Sequence, residues 1–378
     1  MTVVTRVRRR AAVAAALLAA TVVPWASARP VAAQASQPEY AELTGAAVNV
    51  NGTYTPLVGN FVGNDDADDI LWYAPGSGPE TLWRGTADVT EPFAKVAVSA
   101  VNGTYVPIVG DFSGDLHDDV LWYGPGSAPD TLWNFTDAGL ITRRVTINGT
   151  FTPIVLPNAA YPDSIFWYAP GTATDWLWVF EVGGGSHTSA PYVVNSRFTP
   201  IAGDFGDDSL GDLLWYAPGT GGDVLWTRTA AVAAGSFAAT PLAVNGTYSP
   251  VVGDFGTGSS VYADSTADIA WLTETGTDQL WNRTGGSWSK GSATIPGPKA
   301  VRVPRPGSDR LITWGGSAAD RTWQYLPSSG FSTRSTGLGK LASDVRPIVG
   351  RFGAGADEAV LWYRPGAGAE RFWLPLMS

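Results

Sequence analysis

The sequence contains no cysteine, only two histidines and two methionines, and only 15% charged residues. The lack of cysteine excludes disulfides and thiol nucleophiles, so the folded chain is expected to be held together by packing. Beyond residue 33 no stretch reaches eighteen consecutive apolar residues, which predicts no membrane-spanning helix there. What the chain has instead is 45 glycines, 27 prolines and 17 tryptophans, a composition typical of many short strands joined by turns.

Residues 1–33 have the pattern of an export signal. A basic start ("RVRRR") precedes an apolar stretch ("AAVAAALLAATVV") and two small-residue cleavage sequences, Ala26-Ser27-Ala28 and Val31-Ala32-Ala33. The pattern predicts a secreted, extracellular protein, exported by either the general or the twin-arginine route. Without these residues, 19 basic residues face 34 acidic ones, a net charge of −15. Such a balance disfavours nucleic acid as a partner and favours cations.

One phrase recurs along the chain, for example as "VNGTYVPIVGDF" from Val101 and "VNGTYSPVVGDF" from Val244. After it come an acidic loop, an apolar tetrad ending in aromatic residues, a Pro-Gly turn and a second tryptophan. Seven copies are present, the sixth of them eroded, with 43 to 54 residues between equivalent prolines. A period of this length is typical of propellers and other repeat architectures.

Each copy is predicted to form β-strands, because its apolar tetrads are short, rich in β-branched and aromatic residues, and bounded by Gly, Pro or Asp. Since the tetrads do not alternate with polar residues, both faces of each sheet are expected to be covered. The prediction is an all-β fold: a single seven-bladed β-propeller over residues 38–378. Its blades start near residues 54, 105, 151, 198, 248, 301 and 345, and the strands of blade two span about 107–112, 118–123, 131–135 and 142–147.

The two ends of the propeller region complement each other. Residues 40–50 match the fourth strand of a copy, whereas the sequence stops just after a third strand. The N-terminal segment is therefore predicted to complete the last blade and to close the ring without an open edge.

The acidic loop of each copy is a candidate metal site. In blade two, oxygen-bearing side chains stand at the first, third, fifth and ninth places, and the seventh place offers a carbonyl: Asp111, Ser113, Asp115, His117 and Asp119. This spacing suits a hard cation such as calcium. Incomplete versions occur in blade four (Asp204, Asp208, Leu210, Asp212) and in blade one (Asn60, Asn64, Asp69).

The segments "TPIAGDFGDDSLGDLLWYAPG" and "VPIVGDFSGDLHDDVLWYGPG" resemble FG-GAP/VCBS-type repeats, the family that includes the integrin α-subunit propeller. The resemblance implies a seven-bladed propeller with calcium bound between first and second strands. The ligands it implies are Asp111, Ser113, Asp115 and Asp119 in blade two, with Asp204, Asp208 and Asp212 in blade four. Where the family has a glycine after the fifth place, this chain has Leu116 and Ser209.

The tryptophans that recur in the repeats are expected to serve packing, since each buried ring removes a large apolar area from water. Trp176 and Trp288 lie outside the repeat pattern and are the candidates for stacking against a sugar. The histidines, His117 and His187, are far apart in sequence with no recognisable nucleophile motif nearby, which disfavours a Ser-His-Asp enzyme. The sequence favours a calcium-supported binding module for an extracellular glycan, cell-wall polymer or protein. An exported glycoside-active enzyme and a purely structural envelope protein remain the alternatives.

Overall fold

The computed structural model describes most of the chain from residue 39 onwards. The described ranges are 39–43, 48–63, 67–86, 88–231, 237–256, 266–274, 276–295, 299–305, 308–316, 319–326, 330–352, 358–366 and 370–376. The predicted signal (1–33) and the candidate ligand Asn64 lie outside them. No helix among these residues is long and apolar enough to cross a membrane.

The described residues form 28 strands in seven four-stranded antiparallel sheets, which confirms the predicted all-β, seven-bladed propeller. Blades one to three contain β2 (Thr55–Gly59), β3 (Asp69–Tyr73), β4 (Thr81–Gly85), β5 (Phe93–Val96), β6 (Val106–Gly110), β7 (Asp119–Tyr123), β8 (Asp130–Asn134), β9 (Ile141–Val145), β10 (Thr152–Leu156), β11 (Ser164–Tyr168), β12 (Asp175–Phe180) and β13 (His187–Tyr192). Blades four and five contain β14 (Thr199–Gly203), β15 (Asp212–Tyr216), β16 (Asp223–Arg228), β17 (Phe237–Leu242), β18 (Ser249–Gly253), β19 (Asp268–Leu272), β20 (Asp278–Thr284) and β21 (Ser287–Ala293). Blades six and seven contain β22 (Lys299–Val303), β23 (Arg310–Trp314), β24 (Arg321–Leu326), β25 (Gly330–Ser335), β26 (Arg346–Gly350), β27 (Ala359–Tyr363), β28 (Arg371–Pro375) and, from the start of the described chain, β1 (Tyr40–Glu42).

The first strand of each blade is innermost, because first strands contact the first strands of neighbouring blades. The alternating strand directions then give the ring two faces. We call the one with the first-to-second loops and third-to-fourth turns the loop face. The other, which we call the linker face, carries the second-to-third turns and the linkers between blades.

The N-terminal strand closes the ring by completing the last blade. β1 pairs antiparallel with β28, and the sheet order is β1-β28-β27-β26. Among the described residues of this segment, Tyr40–Glu42 form strand, while residues 44–47 lie outside the described ranges. Residues 48–50 act instead as the linker into blade one: Val48 and Val50 are buried, and the Val50 N–H donates to Glu370 at 3.1 Å.

Packing between blades explains why the tetrads are apolar throughout. All five residues of β3, β7, β11, β15 and β27 are buried. Alternate residues of one strand face opposite neighbours: Leu121 packs toward blade three and Trp122 toward blade one. Each cluster of buried residues is thus shared by two blades, so no blade has a core of its own.

The recurring phrase is a joint between blades. In blade two the Tyr123 hydroxyl donates to the Gly149 carbonyl at 2.8 Å and accepts the Phe151 N–H at 2.9 Å, while Asp130 accepts the Ile147 N–H at 2.7 Å. The tyrosine bridge recurs at Tyr73, Tyr168, Tyr216 and Tyr363. The carboxylate bond to the linker recurs at Glu80, Asp175, Asp223, Asp278, Asp320 and Glu370. The glycine of Asn-Gly is needed because its φ of 144° at Gly149 lies in the range that side chains avoid.

Candidate functional site

The acidic loop of blade two is organised by its first-place carboxylate. Asp111 accepts three backbone N–H groups of its own loop, from Gly114 at 2.6 Å, Asp115 at 3.3 Å and Leu116 at 3.0 Å. Burial raises the pKa of Asp111, and these hydrogen bonds oppose the rise. Asp115 is exposed and accepts the His117 N–H at 3.1 Å. The backbone of the loop therefore turns around the Asp111 carboxylate, which brings Asp115 close to Asp111.

The ninth-place carboxylate fixes the loop to the third strand. Asp119 is fully buried and accepts hydrogen bonds from the Asn134 side chain and the Phe135 N–H, both at 3.0 Å. Burial raises its pKa to about 8, and the nearby Asp111 and Asp115 add to the shift. Asp69 and Asp212 make equivalent bonds to the ends of β4 and β16, and burial raises the pKa of Asp212 to about 7. Sequence reasoning did not predict this structural task for the ninth place.

The candidate ligands of blades four and one differ in the hydrogen bonds that they make. In blade four, Asp204 accepts N–H groups from Asp208 and Ser209, and Asp208 accepts the N–H of Leu210. In blade one, the Asn60 amide donates to the Leu116 carbonyl at 3.3 Å, and so reaches toward blade two.

Leu116 and Ser209 adopt the backbone conformation that a glycine would supply. Their φ angles are 77° and 64°. For residues with a side chain this region costs about 1–2 kcal/mol. Leu116 is also 44% exposed, so burial of its side chain does not offset the cost. Both loops thus contain a left-handed turn at a residue that is not glycine.

The fit of these loops to calcium rests on a small set of groups. Ser113, at the third place, is 3% exposed, and its hydroxyl has no hydrogen-bond partner among the described residues. His117 is buried, with Nε2 3.1 Å from the Asp137 carboxylate, an arrangement that leaves its backbone carbonyl as the predicted seventh-place donor. Within the described part of the chain, however, no group of three or more His, Asp or Glu side chains is arranged to hold a metal ion. Calcium binding therefore stays a prediction.

A second set of carboxylates joins neighbouring blades at the ends of the inner strands. Asp118 accepts the Asn60 N–H at 2.8 Å and returns its own N–H to the Asn60 carbonyl at 2.8 Å. Asp163 makes the same pair of bonds to Asp111 of blade two, and Asp68 to Arg351 of blade seven. These acids therefore share a structural role, which is to link the inner strands of neighbouring blades.

An aromatic cleft lies between blades two and three. It has a volume of about 290 Å³ and is lined by Thr146, Ile147, Asn148, Phe151, Trp167, Trp176, Trp178, His187 and Ser189. The first three follow β9 of blade two, and the others belong to blade three. The rings pack edge to face, with centroids 6.0 Å apart for Phe151–Trp167 and 5.1 Å for Trp167–Trp178. His187 stacks on Trp178 at 3.8 Å.

Trp176 is the feature that separates this cleft from the other blade interfaces. It lies directly across from Trp167, at a position occupied in other blades by Thr81, Thr131, Val224, Gln279, Arg321 and Arg371. In blade five the corresponding space is bridged by Gln279, which bonds both Tyr248 and Trp281. In blade three no such bridge forms, because Phe151 has no hydroxyl and Trp176 stands in the place of the glutamine. The Trp176 side chain is 36% exposed.

Trp288, the other off-pattern ring, has a packing role. Its ring lies 5.8 Å from Phe205 and 5.7 Å from Trp281, and the Arg283 guanidinium is 5.0 Å from its centre. The structure thus separates the two candidates for sugar stacking, since only Trp176 lines a described cleft with a large part of its ring exposed.

The polar groups of the cleft are few. Burial lowers the pKa of His187, which favours the neutral imidazole near pH 7. Thr146, Asn148 and Ser189 add hydroxyl and amide groups at the rim. The indole N–H of Trp167 has no partner among the described residues, but the same holds for Trp72, Trp122, Trp215, Trp271 and Trp362. The unpaired N–H is therefore a property of the repeat and not of this cleft.

No family model matches the chain, and no curated protein matches it either. Three solved structures are similar at low identity. They are the exotype rhamnogalacturonan lyase YesX (10% identity, TM-score 0.46, covering 90% of this chain and 76% of that one), the Aleuria aurantia lectin AAL in complex with Fucα1-6GlcNAc (12%, 0.39, 72% and 93%) and the Bacillus licheniformis rhamnogalacturonan lyase PL11 (10%, 0.33, 90% and 91%). At these scores the similarities carry no argument about function, and the fold rests on the strand pairings of the chain itself.

Proposed function

We propose that this protein is an extracellular glycan-binding propeller and that the cleft between blades two and three holds a sugar. The observation that carries the proposal is Trp176, a large ring 36% exposed at the edge of an aromatic cleft. An exposed indole offers a flat apolar surface with a polar N–H, which suits the apolar C–H face and polar edge of a pyranose.

The remaining geometry supports a small ligand of this kind. A volume of about 290 Å³ lies at the lower end of the range of ligand pockets. Aromatic rings form most of the lining and a few rim groups, among them Asn148 and Ser189, supply hydrogen bonds. The lining contains no carboxylate or cationic side chain other than the imidazole of His187. These properties favour recognition of one neutral sugar unit and give no support to bond cleavage within the cleft.

The experiment is to screen the mature protein on a glycan and cell-wall polymer array and to titrate the best ligand calorimetrically. Trp176→Thr is the informative variant, because threonine stands at this position in blades one and two, at Thr81 and Thr131. We expect Trp176→Thr to weaken binding about tenfold or more through loss of the ring contact. Its melting temperature should stay close to that of the parent, since the side chain is partly exposed.

Trp288→Thr is the matched control. This change removes a ring of the same size from another blade, so it should lower the melting temperature and leave the glycan affinity unchanged. An array without any glycan ligand, or equal affinities for the parent and Trp176→Thr, would refute the assignment.

We also propose that secretion places the protein outside the cell and that calcium supports its fold at the blade-two loop. The support for calcium is the negative charge of Asp115, which adds to the raised pKa of Asp111 and, together with Asp111, to that of Asp119, beside the buried Ser113 hydroxyl. Bound there, calcium would supply positive charge to carboxylates that otherwise repel one another.

A further inference from the structure

Basic and acidic residues are distributed unevenly along the chain. Residues 34–298 contain 8 basic and 28 acidic residues, whereas residues 299–378 contain 11 basic and 6 acidic ones. The second range supplies blade six and, together with β1, blade seven. One sector of the ring is therefore basic in a protein that is otherwise acidic.

Strand direction brings six of these basic residues to the linker face. Lys299 and Arg346 start inner strands, Arg321 and Arg371 start third strands, and Arg364 follows the second strand of blade seven. Lys340 lies in the linker between the two blades. We call these six residues the basic surface: Lys299, Arg321, Lys340, Arg346, Arg364 and Arg371.

Hydrogen bonds draw part of the basic surface together around that linker. The Lys299 ammonium donates to the Ser343 carbonyl and the Arg371 guanidinium to the Leu338 carbonyl. Arg364 donates to Asp344 at 2.7 Å, within the same linker. Residues more than 70 positions apart in sequence thus meet on one segment.

Compensation by acids on this surface is incomplete. Arg364 pairs with Asp344, and Arg371 forms two bonds to Glu42, of 2.7 and 2.6 Å. The other acids at these strand ends, Asp320 and Glu370, accept backbone N–H groups of the linkers, and Asp320 also interacts with Arg371 and Lys340. The side chains of Lys299, Arg321 and Arg346 are exposed. The surface thus exposes more positive than negative groups.

We propose that the basic surface is a second binding site, independent of the aromatic cleft, and that it binds a polymer carrying repeated anionic groups. Its positive groups are spread over two blades, so a chain with regularly spaced charges fits it better than a single small anion. Carboxylates of acidic sugars and phosphates of cell-wall polymers share this chemistry. Arginine suits both, because its planar guanidinium pairs with either group through two hydrogen bonds.

The test uses the full mature protein with polygalacturonate, inorganic polyphosphate and neutral dextran as probes, at several salt concentrations. We expect binding to at least one of the two polyanions and none to dextran. The logarithm of the binding constant should fall linearly with the logarithm of salt concentration, as counterions are released. Whichever polyanion binds more tightly identifies the source of the anionic groups.

Arg321→Gln with Arg346→Gln is the test variant, since both side chains are exposed on the basic surface. Arg144→Gln with Arg197→Gln is its control, because it removes the same net charge from exposed arginines of blades two to four. The test variant should weaken polyanion binding about tenfold or more and reduce the salt slope, whereas the control should change neither.

Three results would overturn the proposal. The first is no salt-dependent binding of either polyanion, and the second is equal weakening by the test and control variants. The third is tighter binding of single-stranded DNA than of both probes, which would identify a nucleic-acid surface instead. Melting curves of both double variants distinguish lost binding from lost folding.

Discussion

Arg371 binds Glu42 through two hydrogen bonds of 2.7 and 2.6 Å, and so joins the last strand of the propeller to its first. The pair raises the pKa of Arg371 and lowers that of Glu42, as expected for an ion pair. Both groups are partly exposed, so the pair contributes at most about 1 kcal/mol to folding. The side chains that β1 buries are expected to contribute more to ring closure than this ion pair does.

Tyr40→Ala tests the packing of the closing strand. Tyr40 is 1% exposed and lies 6.0 Å from the Trp373 ring, so removing it should cost about 3–5 kcal/mol of unfolding free energy. Tyr161→Ala, at a tyrosine that is 45% exposed, should change it by less than about 0.5 kcal/mol. Denaturant unfolding measures the stability of the two substitution variants.

Deleting residues 38–50 should cause aggregation, because β28 would present an open edge. A truncated protein that melts like the parent would contradict closure by strand exchange.

Tyr123→Phe tests the joint between blades two and three. The change removes a hydroxyl that donates to Gly149 and accepts from Phe151, and leaves that N–H without its partner. We expect a loss of about 1–3 kcal/mol in unfolding free energy. Tyr161→Phe is the control, and equal stability of the two variants would show that the bridge adds nothing.

Leu116→Asn tests the strained turn of the blade-two loop. Asparagine tolerates the left-handed region better than leucine, and the φ of 77° is otherwise costly. We expect stabilisation of up to about 1 kcal/mol, measured by thermal melting. Val182→Asn, at a site 75% exposed and absent from the positive-φ set, should show no gain. A destabilised Leu116→Asn would indicate that the leucine side chain itself is needed.

Calcium is expected to act on stability. A cation bound only by the folded state stabilises it by about 2.7 kcal/mol at a hundredfold excess over Kd. Chelator should therefore lower the melting temperature, and Asp111→Ala with Asp115→Ala should remove much of this response. Glu91→Ala, at an exposed acid away from the loops, should keep it. A melting curve indifferent to calcium and chelator would reduce the acidic loops to turns.

Glu358→Gln tests the pH dependence of folding stability. Glu358 lies directly before β27, the second strand of blade seven. Burial raises the pKa of Glu358 to about 7, Asp68 and Asp309 add to the shift, and Arg302 and Arg351 oppose it. Since the folded state binds this proton more tightly than the unfolded state, the stability it contributes is lost as the pH rises from about 4.5 to about 7. Glutamine mimics the protonated form, so the variant should exceed the parent by about 1–3 kcal/mol at pH 8 and match it near pH 4.5. A difference that does not change with pH would contradict the shift.

Much of the fold was predictable because the repeat pattern is local. The tetrad at Val120–Tyr123 and the turns around it specify short buried strands, and seven copies imply a closed array. In blade two the observed strands start and end within two residues of the predicted ones. The match of 40–50 to a fourth strand predicted pairing with the last blade, and the register of Tyr40–Glu42 with Trp373–Pro375 came only from the structure.

The candidate sites were less accessible to sequence reasoning. The order of residues placed Asp119 in a list of ligands, but only the fold shows that it is buried against Asn134. Trp176 was set apart by its departure from the repeat, whereas the choice between Trp176 and Trp288 required the packing around each ring.

The sequence by itself determined the strands, their number and the joints, because these depend on neighbours within one repeat. Tertiary structure alone decided what lies between blades. The aromatic cleft needs Thr146 from one blade and Trp176 from the next, and the basic surface brings Lys299 and Arg371 to a common linker. The physical reason is that alternate strand ends share a face of the ring, so residues distant in sequence meet in combinations that no single repeat encodes.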